Sequence, residues 1–399
     1  MLRLINQYLD KLEADGLAKK DNAVFLALDA ELYSGRPLSG DALELKKVFD
    51  LMNISSLLFA EPSDPYGSII AEILKYDGTC QELKKIVPMD CETRTFFHDI
   101  PVVEELSPKA IVAALSLRKA AIIKGRGIVS YGAFTPEQAF VSYSSICFST
   151  FVKYFYNSLV YLEKCAKERI AADEEYLKAF DSIVNKLADG ISPKSDITLN
   201  SKLPLDADEI KGMISEAGKE IVRAHLVDSH FGNISYIHGG NIFITETGSS
   251  LDELEDCIDV VPLDGSSSVG ITASSELSAH KNIYLQTGLN AILHGHPKFS
   301  VIMSMYCKKE GCDRDLCHKV CREKREVVGT PVVPGEIGTG PSGLMHTVPP
   351  AIKDSGCAIV YGHGVFAAGK ETFQGALDML AGIEDKSRKE YFRTVKSLL

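Results

Sequence analysis

A weak internal repeat constrains the fold more than any other feature of the chain. Residues 121–132 read AIIKGRGIVSYG, and residues 358–369, offset by 237, read AIVYGHGVFAAG. Each is followed by a threonine, Thr135 or Thr372, and then by a long helical pattern. The shared form is strand, Gly-x-Gly turn, strand, helix, with strands predicted at 122–124 and 128–131 and again at 359–361 and 365–368. A second pair of segments agrees at an offset of 235. LLFAEP at 57–62 matches ILHGHP at 292–297, and Ser39-Gly40-Asp41 stands where Ser274-Ser275-Glu276 stands. The slip of two between the offsets is an ordinary loop insertion. The repeat predicts two homologous α/β units.

The join falls at DGISPKSDITLNSKLPLD, rich in Pro, Gly, Ser and Asn and without apolar period, which predicts a linker. The expected organisation is one unit at 1–188, a linker at 189–204 and a second unit at 205–399. In the second, a helix is predicted at 210–227, strands at 232–235, 241–245 and 289–293, a helix from Pro297, a strand at 327–333 and a last helix from Glu371. A chain of 399 residues is long enough for both cores, and 45% hydrophobic with 24% charged residues excludes disorder, collagen and coiled coil. A net charge of -11 without a long basic run argues against nucleic acid, and no apolar stretch reaches membrane-spanning length. The amphipathic N-terminus lacks the apolar centre of a secretory leader. Ten cysteines in such a chain point to a reducing, cytoplasmic setting.

His294-Gly295-His296 follows the apolar run 289–293, and in extended backbone both imidazoles share a face. His363 lies between Gly362 and Gly364, where backbone can approach a bound ion closely. Three imidazoles with one open position suit a catalytic divalent metal, zinc first; the bland alternative is surface or core histidines. The repeat weighs against the alternative, because the first copy carries Phe59, Glu61 and Arg126 at these positions and so lacks all three together. Glu276 opens a helix. It could be a capping carboxylate or a general acid/base beside the metal. Gly232-Asn233-Ile234-Ser235, Thr247-Gly248 and Ser274-Ser275 are polar-glycine turns that could jointly offer donors to a phosphate, though singly each is only a turn.

With these residues in place, the second unit resembles the class II aldolase/adducin family. GNIS at 232–235, ITETG at 244–248, SSE at 274–276 with His280 four residues on, HGHP at 294–297 and YGHG at 361–364 occur in family order over most of 206–390. The resemblance implies two tandem α/β/α units, each a central, mainly antiparallel sheet flanked by helices, the first with its site erased. It also implies zinc (or another divalent metal) on His294, His296 and His363, Glu276 as acid/base, and substrate phosphate near Asn233, Gly248, Ser274 and Ser275. His230-Phe231 stands where the family usually carries small hydroxyl residues. The implied activity is a metal-dependent lyase that makes or breaks a C–C bond in a small phosphorylated hydroxy-carbonyl compound, a sugar phosphate, through a zinc-stabilised enediolate. A sugar-phosphate epimerase or decarboxylase would use the same site, and an adducin-like scaffold would keep the fold without it. The family's cyclic tetramers imply a homodimer whose four units form a pseudo-ring. Outside the family pattern, Cys307, Cys312, Cys317 and Cys321 lie within fifteen residues, with His318 among them. Their spacing fits neither a zinc ribbon nor a ferredoxin, and leaves open a second metal site or a thiol cluster.

Overall fold

A computed structural model describes residues 1–399 except 189–196, 201, 229, 267–270, 310, 313–315, 322 and 337–339. The chain divides into two compact units, Met1–Asn157 with Ile170–Ile191, and Ser158–Arg169 with Ser192–Leu399. Among the described residues no helix is long and apolar enough to cross a membrane.

The first unit carries β1 (Val24–Leu28), β2 (Leu32–Ser34), β3 (Ser56–Ala60), β4 (Lys85–Ile86), β5 (Ile100–Val103), β6 (Ala120–Ile123) and β7 (Gly127–Gly132). Its helices are α1 (Leu2–Ala14), α2 (Asp41–Lys46), α3 (Tyr66–Tyr76), α4 (Gly78–Leu83), α5 (Cys91–Phe97), α6 (Pro108–Leu115), α7 (Pro136–Glu168) and α8 (Glu174–Ala188), although the last turns of α7 group with the second unit. The second carries α9 (Ala207–Arg223), β8 (Asn233–His238), β9 (Asn241–Thr245), β10 (Ile258–Pro262), α10 (Leu277–Thr287), β11 (Ala291–Gly295), α11 (Lys298–Met305), β12 (Arg325–Val327), β13 (Thr330–Val333), α12 (Leu344–Ser355), β14 (Cys357–Val360), β15 (Gly364–Gly369) and α13 (Gln374–Leu398). The helices follow from local chemistry. Asp206 caps α9 by accepting from Glu209 N–H, and the helix then buries Ile210, Met213, Ile214, Ala217 and Ile221 along one stripe.

The sheet orders are β2-β1-β3-β7-β6-β5-β4 and β10-β9-β8-β11-β15-β14-β13-β12. Apart from the extra edge strand β10 they correspond strand for strand, and so do the pairing senses. Every neighbouring pair is antiparallel except β5 with β6 and β13 with β14. Register carries the sequence offsets as well: Phe59 faces Val129 as His294 faces Phe366, and Ile122 faces Ile128 as Ile359 faces Val365. Both Gly-x-Gly turns bring backbone into close approach. A Cβ on Gly127 would strike the Ala60 carbonyl oxygen, and one on Gly364 the Gly295 carbonyl oxygen.

One local reading differs. The strand expected at 327–333 is a hairpin, because Val328 and Gly329 both take positive φ (49° and 82°) and turn the chain back on itself. Of the expected linker, 189–196 and 201 lie outside the described residues. Ile197 and Leu199 are buried, and Gln374 on α13 grips both ends of that segment, accepting from Leu199 N–H and donating to Ile197 O. Helix α12 has no counterpart among the sequence expectations, since Pro349 and Pro350 inside it hide the helical period.

Candidate metal centre

His294 is the penultimate residue of β11, His296 follows just before α11, and His363 sits in the turn between β14 and β15. Because β15 pairs with β11, the turn and the strand end meet. The Nε2 of His294 lies 3.2 Å from that of His363 and 3.0 Å from that of His296. All three rings are buried, and among the described residues they are the group whose ligand atoms gather closely enough for an ion. Surrounding structure fixes them. His294 Nδ1 donates to the Val365 carbonyl at 3.1 Å and its ring stacks on Phe366, centroids 4.0 Å apart. Ser304 on α11 accepts from Gly362 N–H at 2.9 Å and so pins the turn that carries His363. Phe231 stacks on His296. A Cβ on Gly232 would strike the His294 carbonyl oxygen, so the backbone leading to Asn233 needs glycine there.

The donor set fits a divalent cation. With Nδ1 of His294 donating, its Nε2 lone pair points inward at two further imidazole nitrogens. A tetrahedral ion ~2.0–2.1 Å from each nitrogen would hold them roughly 3.3–3.4 Å apart, near the spacing found. Burial lowers His294 to about 4 and carries His296 well below its ordinary range, so these two rings are neutral and able to ligate at neutral pH.

Glu276 occupies the N-cap of α10 but makes no side-chain cap bond. Its carboxylate instead lies 3.4 Å from His294 Nε2 and 3.3 Å from His363 Nε2, with Asn233 Nδ2 donating at 2.7 Å. Burial alone would raise this carboxyl, yet the charge that His294 and His363 acquire when acid protonates them, with the Asn233 amide, outweighs it and holds it well below the usual carboxylate range.

Of the residues expected near phosphate, Asn233 is therefore partly engaged, since its oxygen also meets His280 Nε2 at 2.5 Å and one amide hydrogen is left. Ser274 accepts from Glu276 N–H at 3.3 Å, Ser275 is exposed, and Gly248, at φ 75°, lies with its carbonyl 3.4 Å from His230 Nδ1. Cys317 is buried, Cys307 and Cys321 are half-buried and Cys312 is exposed; burial raises the Cys317 thiol, and Cys321, Cys312 and Cys307 all lie near enough to raise it further, although among the described residues the four do not form a close-set ligand group like the histidine trio. Sequence reasoning gives no role to Glu384, on α13. Buried, it accepts from the N–H groups of Phe299 and Ser300, at 2.9 Å each, and from Ser300 Oγ at 2.8 Å. It thus caps α11 just after the paired histidines.

In the first unit the positions of His294, His296 and His363 hold buried Phe59, exposed Glu61 and half-exposed Arg126. Arg126 pairs at 2.7 Å with Asp41, the counterpart of Glu276, so an ion pair stands where the second unit sets carboxylate against imidazole.

Residues 213–388 match the class II aldolase and adducin N-terminal domain family. The L-fuculose phosphate aldolase of Methanococcus maripaludis is 32% identical over 146 residues, which is 35% of this chain and 73% of that protein. Similar folds include L-fuculose-1-phosphate aldolase from Thermus thermophilus (22% identity, 47% of this chain, 95% of that one, TM-score 0.38). A sugar-phosphate aldolase from Thermotoga maritima is similar too (17% identity, 47% of this chain, 96% of that one, TM-score 0.33). With its domain match and a relative this similar over nearly three quarters of that relative's length, the chain belongs to the class II aldolase/adducin family.

Proposed function

We propose that the second unit is a metal-dependent lyase of aldolase type, acting on a small phosphorylated hydroxy-carbonyl compound such as a ketose phosphate. The observation that carries this reading is the placing of one carboxylate, Glu276, against two members of a buried imidazole trio. His294, His296 and His363 would hold the metal, zinc by donor type, which supplies Lewis acidity to the substrate's carbonyl and adjacent hydroxyl oxygens. Glu276, ionised and aimed by Asn233, would take the proton from the hydroxyl whose carbon becomes the released aldehyde and pass it to the carbon that keeps the electron pair of the broken C–C bond; the reverse reaction retraces both transfers. Ser274, Ser275, Gly248 and the remaining Asn233 hydrogen would receive the substrate's phosphate.

The first unit is, in the same reading, a degenerate copy that keeps the sheet order and holds no catalytic metal, and two chains together supply four such units. The test is carbonyl release from a panel of ketose 1- and 5-phosphates by zinc-loaded protein, L-fuculose 1-phosphate included. Aldehyde formation abolished by chelator and restored by zinc supports the reading. Stereochemical inversion without cleavage would make the protein an epimerase, and inertness toward the whole panel would remove the lyase assignment.

A further inference from the structure

Behind Glu276 and Asn233 runs a line of buried polar side chains, His280, Ser235 and Tyr284, that the proposed chemistry does not use. Tyr284 OH lies 2.5 Å from Ser235 Oγ, Ser235 Oγ 2.6 Å from His280 Nδ1, His280 Nε2 2.5 Å from Asn233 Oδ1, and Asn233 Nδ2 2.7 Å from Glu276 Oε2. The carboxylate fixes the direction of every bond. An ionised carboxylate only accepts, so the amide must turn its NH2 to Glu276 and its oxygen to His280. His280 must then carry its proton on Nε2 and accept at Nδ1 from the Ser235 hydroxyl. That hydroxyl accepts from Tyr284 in turn.

The first unit supplies an internal control. The register that sets Phe59 at the place of His294 sets Val24 at that of Asn233 and Leu26 at that of Ser235. The offset that matches Asp41 to Glu276 sets Leu45 at His280 and Phe49 at Tyr284. All four lie in one apolar cluster. The same strand order thus forms around hydrocarbon, so the fold does not require this polar line; the line accompanies the buried carboxylate.

We propose that His280 is a positioning residue for Glu276, acting through Asn233. As a neutral Nε2–H imidazole, it locks the amide with its N–H toward the carboxylate. Without that donor the amide can rotate and present its oxygen, which repels the carboxylate and turns it from its working position. The effect on turnover rests on the reading of Glu276 as proton carrier; the tautomer does not.

The test has two arms on the full-length chain. Long-range 1H–15N spectra of zinc-loaded protein labelled in histidine should include, among the ten histidines, a neutral Nε2–H ring whose signals disappear in His280→Leu. If the signals lost in His280→Leu belong to a ring protonated at Nδ1, or at both nitrogens at neutral pH, the proposal is overturned. In the second arm, His280→Leu should stay folded and keep its zinc, with a melting temperature lowered modestly by the unpaired Ser235 hydroxyl and Asn233 oxygen, while kcat falls at least tenfold with little change in KM. His280→Gln, which keeps a donor for Asn233, should recover most of the rate. In an Asn233→Ala background, His280→Leu should cost nothing further. Wild-type turnover in His280→Leu, or lost zinc and a collapsed melting temperature, overturns the role. A wild-type protein inert toward every sugar phosphate defeats only the lyase reading, and the tautomer still decides this proposal.

Discussion

Glu276 is the residue on which the proposed chemistry turns, and its surroundings bear on the choice between cap and acid/base. A capping carboxylate would accept from the first N–H groups of α10; this one faces two imidazoles and an amide. Glu276→Gln keeps the shape and removes the proton acceptor. It should leave zinc content near one per chain and slow turnover about 10²–10⁴-fold, read by metal analysis beside steady-state rates. Unchanged turnover would return Glu276 to a structural role. His280 carries a stability consequence. Burial lowers it to about 3, whereas the unfolded chain binds its proton near ~6.5. Below that pH the unfolded state takes up a proton that the folded state refuses, so stability falls as pH falls, by about 1.4 kcal/mol per unit. Between pH 7 and 4.5 the chelator-treated wild type should therefore lose roughly 2–3 kcal/mol more than His280→Leu, measured by urea unfolding at both pH values. Parallel losses would contradict a buried, neutral His280.

At the scale of elements, the strand ends and glycine turns place the site, and these were legible because both periodicity and repeat marked them. The 235 and 237 offsets reappear as strand register, so the paired histidines and His363 could be brought together from sequence. Less legible was whatever depends on contacts between distant segments. Leu45 and His280 share a position in the repeat, but only the fold shows one in hydrocarbon and the other between Ser235 and Asn233. Glu384 follows HGHP by nearly ninety positions, and nothing in its helix pattern marks it as the cap of α11. Hairpin β12–β13 and helix α12 were obscured by a Val-Gly turn inside an apolar run and by a proline pair. Two predictions belong here. Glu384→Ala leaves two buried N–H groups without their acceptor and should cost about 2–4 kcal/mol, with zinc lost to chelator faster than from the wild type. In Gly364→Ala the added Cβ would press on the Gly295 carbonyl oxygen and on the rings of His294 and His296, so zinc content should drop. Gly127→Ala strains the corresponding turn of the first unit and should lower thermal stability without changing zinc content. Equal effects of the two alanine variants on zinc would contradict the assignment of the site to one unit.

For the whole molecule, the account holds that one chain carries two units of shared strand order, of which one is equipped for chemistry. The first unit replaces the imidazoles with Phe59, Glu61 and Arg126, the carboxylate with an Arg126–Asp41 pair, and the polar line behind it with Val24, Leu26, Leu45 and Phe49. Losing every part together is what a unit relieved of catalysis and kept for its fold would show. The most direct measurement is zinc stoichiometry of the purified full-length chain and of its His294→Ala, His296→Ala double variant. The account predicts close to one zinc per chain in the wild type and close to none in the variant, with the folded state retained. Two ions per chain, or full occupancy in the double variant, would contradict it.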